Sequence, residues 1–357
     1  MKIIFSIYYL FYFALIGVYI IFMPKMLSDL GYSKFEIGLI YSLVPFIRFL
    51  LPFIFKHFIN LDRRVYIISL ISTTITTIIF LKSIENFSSY LISNILFGAS
   101  IGISLPFVEA IALDRLSKSE YGRVRLWGSV GFIGIALLLG RVLKSPYETL
   151  YYLIATSLFS TIFGILIIKF DTTKSETSNK NRSFSLFNHL YLWISIFLMQ
   201  VSFGGFYNFF TIYELEQGLN LELVSLLWSF GVVCEIVMFI FQGKLLQKNL
   251  LKIIKFSIII TSIRWLLLFL YPSNTIALFI AQSMHAFSFA LYHTAVITYI
   301  FTLYPQKKLA QQFVLGIGFG LGGAFGSILA GFIYGKYMFL IESVIALFAF
   351  IVLLKEK

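Results

Sequence analysis

Charge is scarce in this chain of 357 residues. Charged side chains make up 12% of it, about half the roughly 25% of a soluble domain. Acids are the scarcer sign, with 16 Asp and Glu against 28 Lys and Arg. Cysteine occurs once, at Cys234, which excludes an internal disulfide and a cysteine cluster for metal. No G-x-x-x-x-G-K-S/T phosphate loop, H-E-x-x-H zinc motif or G-x-S-x-G nucleophile elbow occurs. ATP energy would therefore need another subunit, and an enzyme is not expected. The longest polar stretch is the 13 residues of Asp171–Ser183. A solute receptor that moves nothing would lack an output domain.

What the chain has instead is apolar surface. Hydrophobic residues reach 59% and the mean hydropathy is +0.91, against roughly 45–50% apolar in soluble domains. No single core hides that much surface from water, so the surrounding medium is lipid. A helix crossing the hydrocarbon needs about 20 mainly apolar residues. Twelve such runs are present, near 3–23, 36–56, 65–82, 90–113, 126–143, 149–169, 187–210, 221–242, 251–271, 275–302, 311–334 and 337–354. The expected fold class is an all-α polytopic membrane protein. The first run lacks a small-residue cleavage site and reads as an uncleaved helix.

Basic residues set the orientation. With the N-terminus inside, cytoplasmic ends and connectors hold twenty of the 28 Lys and Arg, among them Arg63, Arg64, Lys118, Arg123, Lys180, Arg182, Lys244 and Lys308. Exterior ends hold six, and Arg48 and Arg264 lie within runs. This positive-inside bias puts both termini in the cytoplasm. It also explains the net charge of +12 without nucleic acid as a partner.

Shifting the chain by 187 residues aligns its halves without a gap. Gly17 then meets Gly204, Asp29 meets Glu216, Gly31 meets Gly218, Tyr41 meets Trp228, and Arg48 meets Glu235. Because 187 residues span six runs, the halves share one orientation, as in parallel repeats that rock about a mid-depth substrate site. The expected organisation is a six-helix bundle over 1–170, a cytoplasmic linker over 171–186 and a second bundle over 187–357.

Ionisable residues inside spans are costly and mark functional sites by default. They are Arg48, Glu109, Asp114, Glu235, Arg264, His285 and His293. Glu235 interrupts LLWSFGVVCEIVMFIF at 226–241, with nothing nearby in sequence to solvate it. Glu342 lies nearer the outer end of the last run, within reach of the interface. Counting from the cytoplasmic turns, Glu235 is eleven residues deep and Arg264 eighteen, a difference of about 10 Å that a long guanidinium nearly closes. His285 and His293 bracket that gap, about 80° apart on a regular helix, and both can border one cavity. One reading makes Glu235 a proton carrier balanced between burial and a nearby arginine, with Arg264, His285 and His293 in the coupling group. The other makes them structural ion pairs that tie three helices together.

In the fourth run, SLPFVEAIALDRL places Pro106 where it loosens the helix and Glu109 near Arg48 in depth. Asp114, at the cytoplasmic end, faces YGRVRLWGS. A pair with Arg123 or Arg125 would latch a cytoplasmic gate. The alternative is that these arginines only anchor to lipid phosphates. Aromatic runs such as IYYLFY at 7–12 and FGGFYNFF at 203–210 suit either an aromatic-binding cavity or lipid. The glycines of GIGFGLGGAFG at 316–326 suit close helix packing.

These features resemble the major facilitator superfamily, and within it the phenylpropionate permease group. The most specific blocks are YGRVRLWGSVGFI at 121–133, LLWSFGVVCEIVMF at 226–239, Arg264–Trp265 and QSMHAFSFALYH at 282–293. The resemblance implies two parallel-repeat bundles and matching polar positions at Arg48, Glu109, Glu235, Arg264, His285 and His293. The wider group is similar to lactose-permease-type proton symporters, which use an acid, an Arg and a His in helices eight to ten. That implies a multi-pass protein of the bacterial cytoplasmic membrane, working as a monomer, with the proton gradient as energy source and no cofactor or metal. The loop HFINLDRRV departs from the superfamily's glycine-containing pattern. The expected partner is a small organic solute. An aromatic carboxylate would suit Arg48 or Arg264 as anion receptor, while hydroxylated sugars or nucleosides would suit Gln282, Asn208 and the histidines. A proton-driven exporter of hydrophobic compounds is the alternative direction.

Overall fold

The computed structural model describes residues 1–57, 62–171 and 185–356. Most of the expected linker, including Lys180 and Arg182, and part of HFINLDRRV lie outside the described residues. Among the described residues the chain is helical, without strands. Among those residues eleven helices are long and apolar enough to cross a membrane, and a shorter apolar helix makes twelve. The chain divides into two compact units, Met1–Asn179 and Lys180–Lys357.

The first unit contains α1 (Lys2–Asp29), α2 (Lys34–Phe55), α3 (Arg63–Ser83), α4 (Phe87–Arg115), α5 (Glu120–Val142) and α6 (Glu148–Phe170). The second contains α7 (Phe187–Glu216), α8 (Leu221–Lys244), α9 (Leu250–Leu270), α10 (Thr275–Leu303), α11 (Leu309–Ile333) and α12 (Met338–Leu353). Polar caps set several starts. Asp62, Asn86, Asn220, Asn249 and Asn274 each accept an N–H of the following first turn, satisfying donors a helix leaves free.

Both units pack by the same scheme. In the first, α1 lies against α5 and α6, α4 against α2 and α3, and α3 against α6; α7 to α12 repeat this pattern in order. Positions 187 residues apart do the same work. Gly31 and Gly218 turn the chain after the first helix of each unit with φ +90° and +94°, a region that favours glycine. Tyr19 meets Tyr41 with ring centroids 4.9 Å apart, and Phe206 meets Trp228 at 4.6 Å. Close backbone approach also recurs. A Cβ on Gly131 would strike the Leu10 carbonyl, and one on Gly204 the Gly326 carbonyl. Without a hydrophobic drive between helices in lipid, such small-residue contacts and hydroxyl bonds hold the bundle. The α3–α6 pair shows the second device, with Thr74 and Thr161 2.9 Å apart and Thr77 and Ser157 2.9 Å apart.

Four departures from regular helix shape the molecule. Wide π turns interrupt α1 at Val18–Phe22, α10 at Ala286–Leu291 and α11 at Val314–Gly322. Helix α7 is broken, with one segment ending at Val201 and the next starting at Gly204. Such irregular turns are frequent at functional sites.

Gly131→Ala should lower the melting temperature in detergent, since the added methyl overpacks against rigid backbone at a cost of about 1–3 kcal/mol. Gly134→Ala, whose methyl meets nothing within 4 Å, should melt like the parent; equal melting of both variants would refute this account of the α1–α5 contact.

Candidate functional site

In the second unit, α8, α9 and α10 bring the expected residues into one chain of contacts. Arg264 is fully buried. Its Nη1 lies 3.0 Å from His285 Nδ1 and donates to Ser288 Oγ at 3.1 Å, while Nη2 donates to Gln282 Oε1 at 3.0 Å. The guanidinium carbon sits 4.2 Å from the Phe206 ring and 4.6 Å from that of Trp265. Beyond His285, its Nε2 faces Glu235 Oε2 at 3.4 Å. The order is therefore Arg264–His285–Glu235, and the direct Arg264–Glu235 approach considered from depth counting gives way to an imidazole bridge. An arginine has only donors, so Nδ1 accepts and Nε2 carries the hydrogen directed at the carboxylate.

His293 joins the same face. His285 stacks on Phe289 at 5.2 Å and 8°, and Phe289 on His293 at 6.2 Å and 11°. A regular helix would set the two histidines about 80° apart. The π turn at Ala286–Leu291 holds more residues per turn, so each residue advances less around the axis and the three rings align. Phe319 closes on His293 at 5.5 Å.

Asn208 and Gln282, the polar residues expected to meet substrate, make hydrogen bonds within the second unit. Asn208 is buried, and its amide donates to Gly204 O and Ser327 Oγ, each at 2.8 Å, tying α7 to α11. Gln282 is buried against Arg264.

In the first unit, Glu109 and Arg125 form an ion pair, Oε1 to Nε 3.2 Å, with both side chains about one-third exposed (32% and 31%). Arg125 also lies over the rings of Phe13, at 4.1 Å, and Tyr9, at 5.3 Å. The pair follows from depth: each residue is eight positions from Ser117, the capping residue of the α4–α5 turn. The latch expected from sequence joins Asp114 to Arg123 or Arg125; the carboxylate 3.2 Å from Arg125 Nε is that of Glu109. Asp114 is exposed, with Arg115 Nε 3.7 Å away, and Arg123 is exposed at the same end. Arg48 is exposed on α2, its stem lying along Gly102 of α4.

Two arginines at helix ends, Arg63 of α3 and Arg115 of α4, fasten the end of α6. Arg63 donates from Nε to Asp171 Oδ2 at 2.6 Å and from Nη2 to Asp171 O at 2.5 Å, and Arg115 donates to Phe170 O at 2.8 Å. Cations at a helix C-terminus favour its dipole and occupy its free carbonyls.

Sequence reasoning missed two acids. Glu342, assigned there to the interface, is 2% exposed and accepts the Gly205 N–H. Glu214 is fully buried, and neither carboxylate oxygen has a hydrogen-bond partner among the described residues. Both sit close to the ends of apolar runs, where counting alone suggests access to water.

Comparison with known proteins accords with this architecture. A family model described as the MFS_1 like family matches residues 2–345. The chain is 25% identical to the probable 3-phenylpropionic acid transporter of Escherichia coli (strain K12), over 95% of this chain and 93% of that protein. It is 24% identical to the uncharacterized transporter YwbF of Bacillus subtilis (strain 168), over 85% and 78% respectively. Among solved structures, the nucleoside transporter NupG superposes with a TM-score of 0.82 at 17% identity, covering 100% of this chain and 99% of that one. A bacterial homologue of the iron transporter ferroportin, in an inward-facing state, reaches 0.75 at 13% identity, covering 99% and 98%. These two likenesses concern the fold. With twelve apolar helices in two units of one packing scheme and a family match along nearly the whole chain, the protein belongs to the MFS_1 like family of the major facilitator superfamily and is a multi-pass membrane transporter.

Proposed function

We propose that the protein is a proton-coupled symporter that takes up a small organic anion, an aromatic carboxylate, by alternating access across the bacterial cytoplasmic membrane. The observation that carries this reading is the Arg264–His285–Glu235 chain. In it an arginine is buried on neutral partners, and its nearest anion is reached through an imidazole.

The chain offers a coupling logic. With Glu235 ionised, the negative carboxylate offsets Arg264 through His285, and the local charge sums to zero. Opposite charges at such separations attract by roughly 2 kcal/mol at an effective dielectric constant near 20. A proton taken by Glu235 removes that offset and leaves a net positive site, to which an anionic solute is drawn. Proton and anion then travel together, and release of the proton restores the original pairing. His285 holds the geometry: its Nδ1 receives Arg264 while its Nε2–H meets Glu235, so it transmits the change without itself taking a charge.

Arg48 supplies the receptor for the solute's carboxylate. It is an exposed guanidinium on an apolar helix, and guanidinium–carboxylate bonds are the strong, bidentate kind. The name of the Escherichia coli relative supports the substrate class.

Uptake by reconstituted vesicles of labelled aromatic acids, sugars and nucleosides, with and without an inward proton gradient, tests the reading. Gradient-driven accumulation should be confined to aromatic acids; accumulation of sugars or nucleosides alone would replace the substrate class, and outward pumping would reverse the direction.

Glu235→Gln should abolish uphill accumulation while keeping exchange of solute for solute. Full accumulation by this variant would remove Glu235 from the coupling.

Arg48→Gln should raise KM for a carboxylate at least about tenfold, the effect of roughly 1.4 kcal/mol, and leave KM for the matching primary amide unchanged. An equal rise for acid and amide would show that Arg48 shapes the protein rather than reads the charge.

A further inference from the structure

The break in α7 holds a second buried acid. The outer segment of α7, Gly204–Glu216, begins after Ser202 and Phe203. Its first N–H groups have no carbonyl of a preceding turn to bond, as at any helix start. The Glu342 side chain reaches this point from α12 and accepts the Gly205 N–H at Oε1. Only glycine permits the approach, since a Cβ on Gly205 would come within 2.7 Å of Oε1 and 2.9 Å of Oε2. Glu342 is 2% exposed, and Oε2 has no hydrogen-bond partner among the described residues. No salt bridge to it is formed among the described residues.

Each protonation state suits half of this setting. A carboxylate completes the N-terminus of the outer α7 segment, where the helix dipole favours negative charge. A neutral acid suits the buried Oε2, where an unpaired charge is costly. Adding a proton at Oε2 forms one O–H bond, breaks no covalent bond, and removes the charge assistance from the Gly205 N–H···Oε1 contact. Charge-assisted bonds are roughly twice as strong as neutral ones, so the proton loosens the break.

The break also touches the coupling chain. Ser202 Oγ accepts from Trp265 Nε1 at 3.4 Å, and Phe206, the residue after Gly205, lies beneath the Arg264 guanidinium. On the other side α12 is fastened to α9. Ser262 Oγ donates to Ser343 O at 2.9 Å, and Ser343 Oγ donates to Ser262 O at 2.8 Å. With α9 and α12 tied together by these bonds, a change at the Glu342–Gly205 contact bears on the α7 segment 202–206, which forms part of Arg264's aromatic seat. The other titratable groups on helices packed against α12 are His189, Tyr191, Tyr207, Tyr213, Glu214 and Glu216 of α7 and Lys252, Lys255 and Arg264 of α9.

We propose that Glu342 is a second proton-binding acid of the transport cycle, acting on Arg264 through the break in α7. The proposal rests on the proton-coupled reading given above, and its test separates the two. Infrared difference spectra of the purified full chain, taken across a pH titration, should contain the C=O band of a protonated carboxylic acid that is present in the parent and in Glu235→Gln and is lost in Glu342→Gln. In vesicles, the reversal potential should report a loss of one proton per solute carried in Glu342→Gln. Glu342→Asp, which retains an acid and guards against a folding defect in the amide variant, should restore both the band and the ratio. A titrating band and a proton-to-solute ratio that are unchanged in Glu342→Gln overturn the proposal. A parent protein that shows no solute-driven proton entry overturns the symport reading, and with it the transport role of Glu342.

Discussion

Arg264 is the constraint around which the second unit is built. A guanidinium with no water contact must be met by acceptors and polarisable rings, because a buried charge left alone is costly. Here an imidazole, a hydroxyl, an amide oxygen and two aromatic faces supply that environment. Each of these groups is fixed in turn. Gln282 and Ser288 sit on either side of His285 on α10, Trp265 is held to Ser202, and Phe206 packs on Trp228. The local fold and the charge are therefore built together: the same side chains that pack α7, α9 and α10 supply the arginine's acceptors and rings.

The first unit solves the parallel problem more loosely. Its arginine at Arg125 has a direct carboxylate partner in Glu109 and two rings beneath it, and the pair is part-exposed. Rigidity comes from elsewhere, from the hydroxyl pairs of α3 and α6 and from tyrosines buried at the centre. Tyr19 donates to Asn94 at 2.8 Å, Tyr41 to the Tyr19 carbonyl at 2.8 Å, and Tyr12 to the Ile101 carbonyl at 3.0 Å. The scheme of helix contacts is common to both units, whereas the polar content is not: hydroxyls concentrate in one and the buried arginine in the other.

Much of the fold was legible before any coordinates, for a physical reason. Lipid demands about 20 apolar residues per crossing, so the twelve runs mark their own boundaries, and a 187-residue shift exposes Gly31 and Gly218 at matching turns. The polar residues were legible as a set because intramembrane charge is rare. Their pairing was less so. Depth counting placed Glu235 and Arg264 within reach but assumed a regular helix for α10, and the π turn changes which side His293 occupies. Arg125 and Glu109 share a depth that counting from Ser117 would have matched, yet the nearer Asp114 drew the pairing. Glu342 was missed because position along a run says little about which way a side chain faces. The break after Val201 carries only a weak local signal, the Gly204–Gly205 pair.

The π turn of α10 has one more implication. An i→i+5 turn stores a surplus residue relative to an α-helix, and that surplus can be handed along the helix without breaking the chain. If the segment between His285 and His293 relaxes into α-helical form, everything on its C-terminal side swivels by about 100°, the angle of one residue. The parallel stack of imidazole, phenyl and imidazole would come apart in a single step, while Arg264 kept its hold on His285. The π turn thus sets the rotational register of α10, and with it the face on which the distal ring lies.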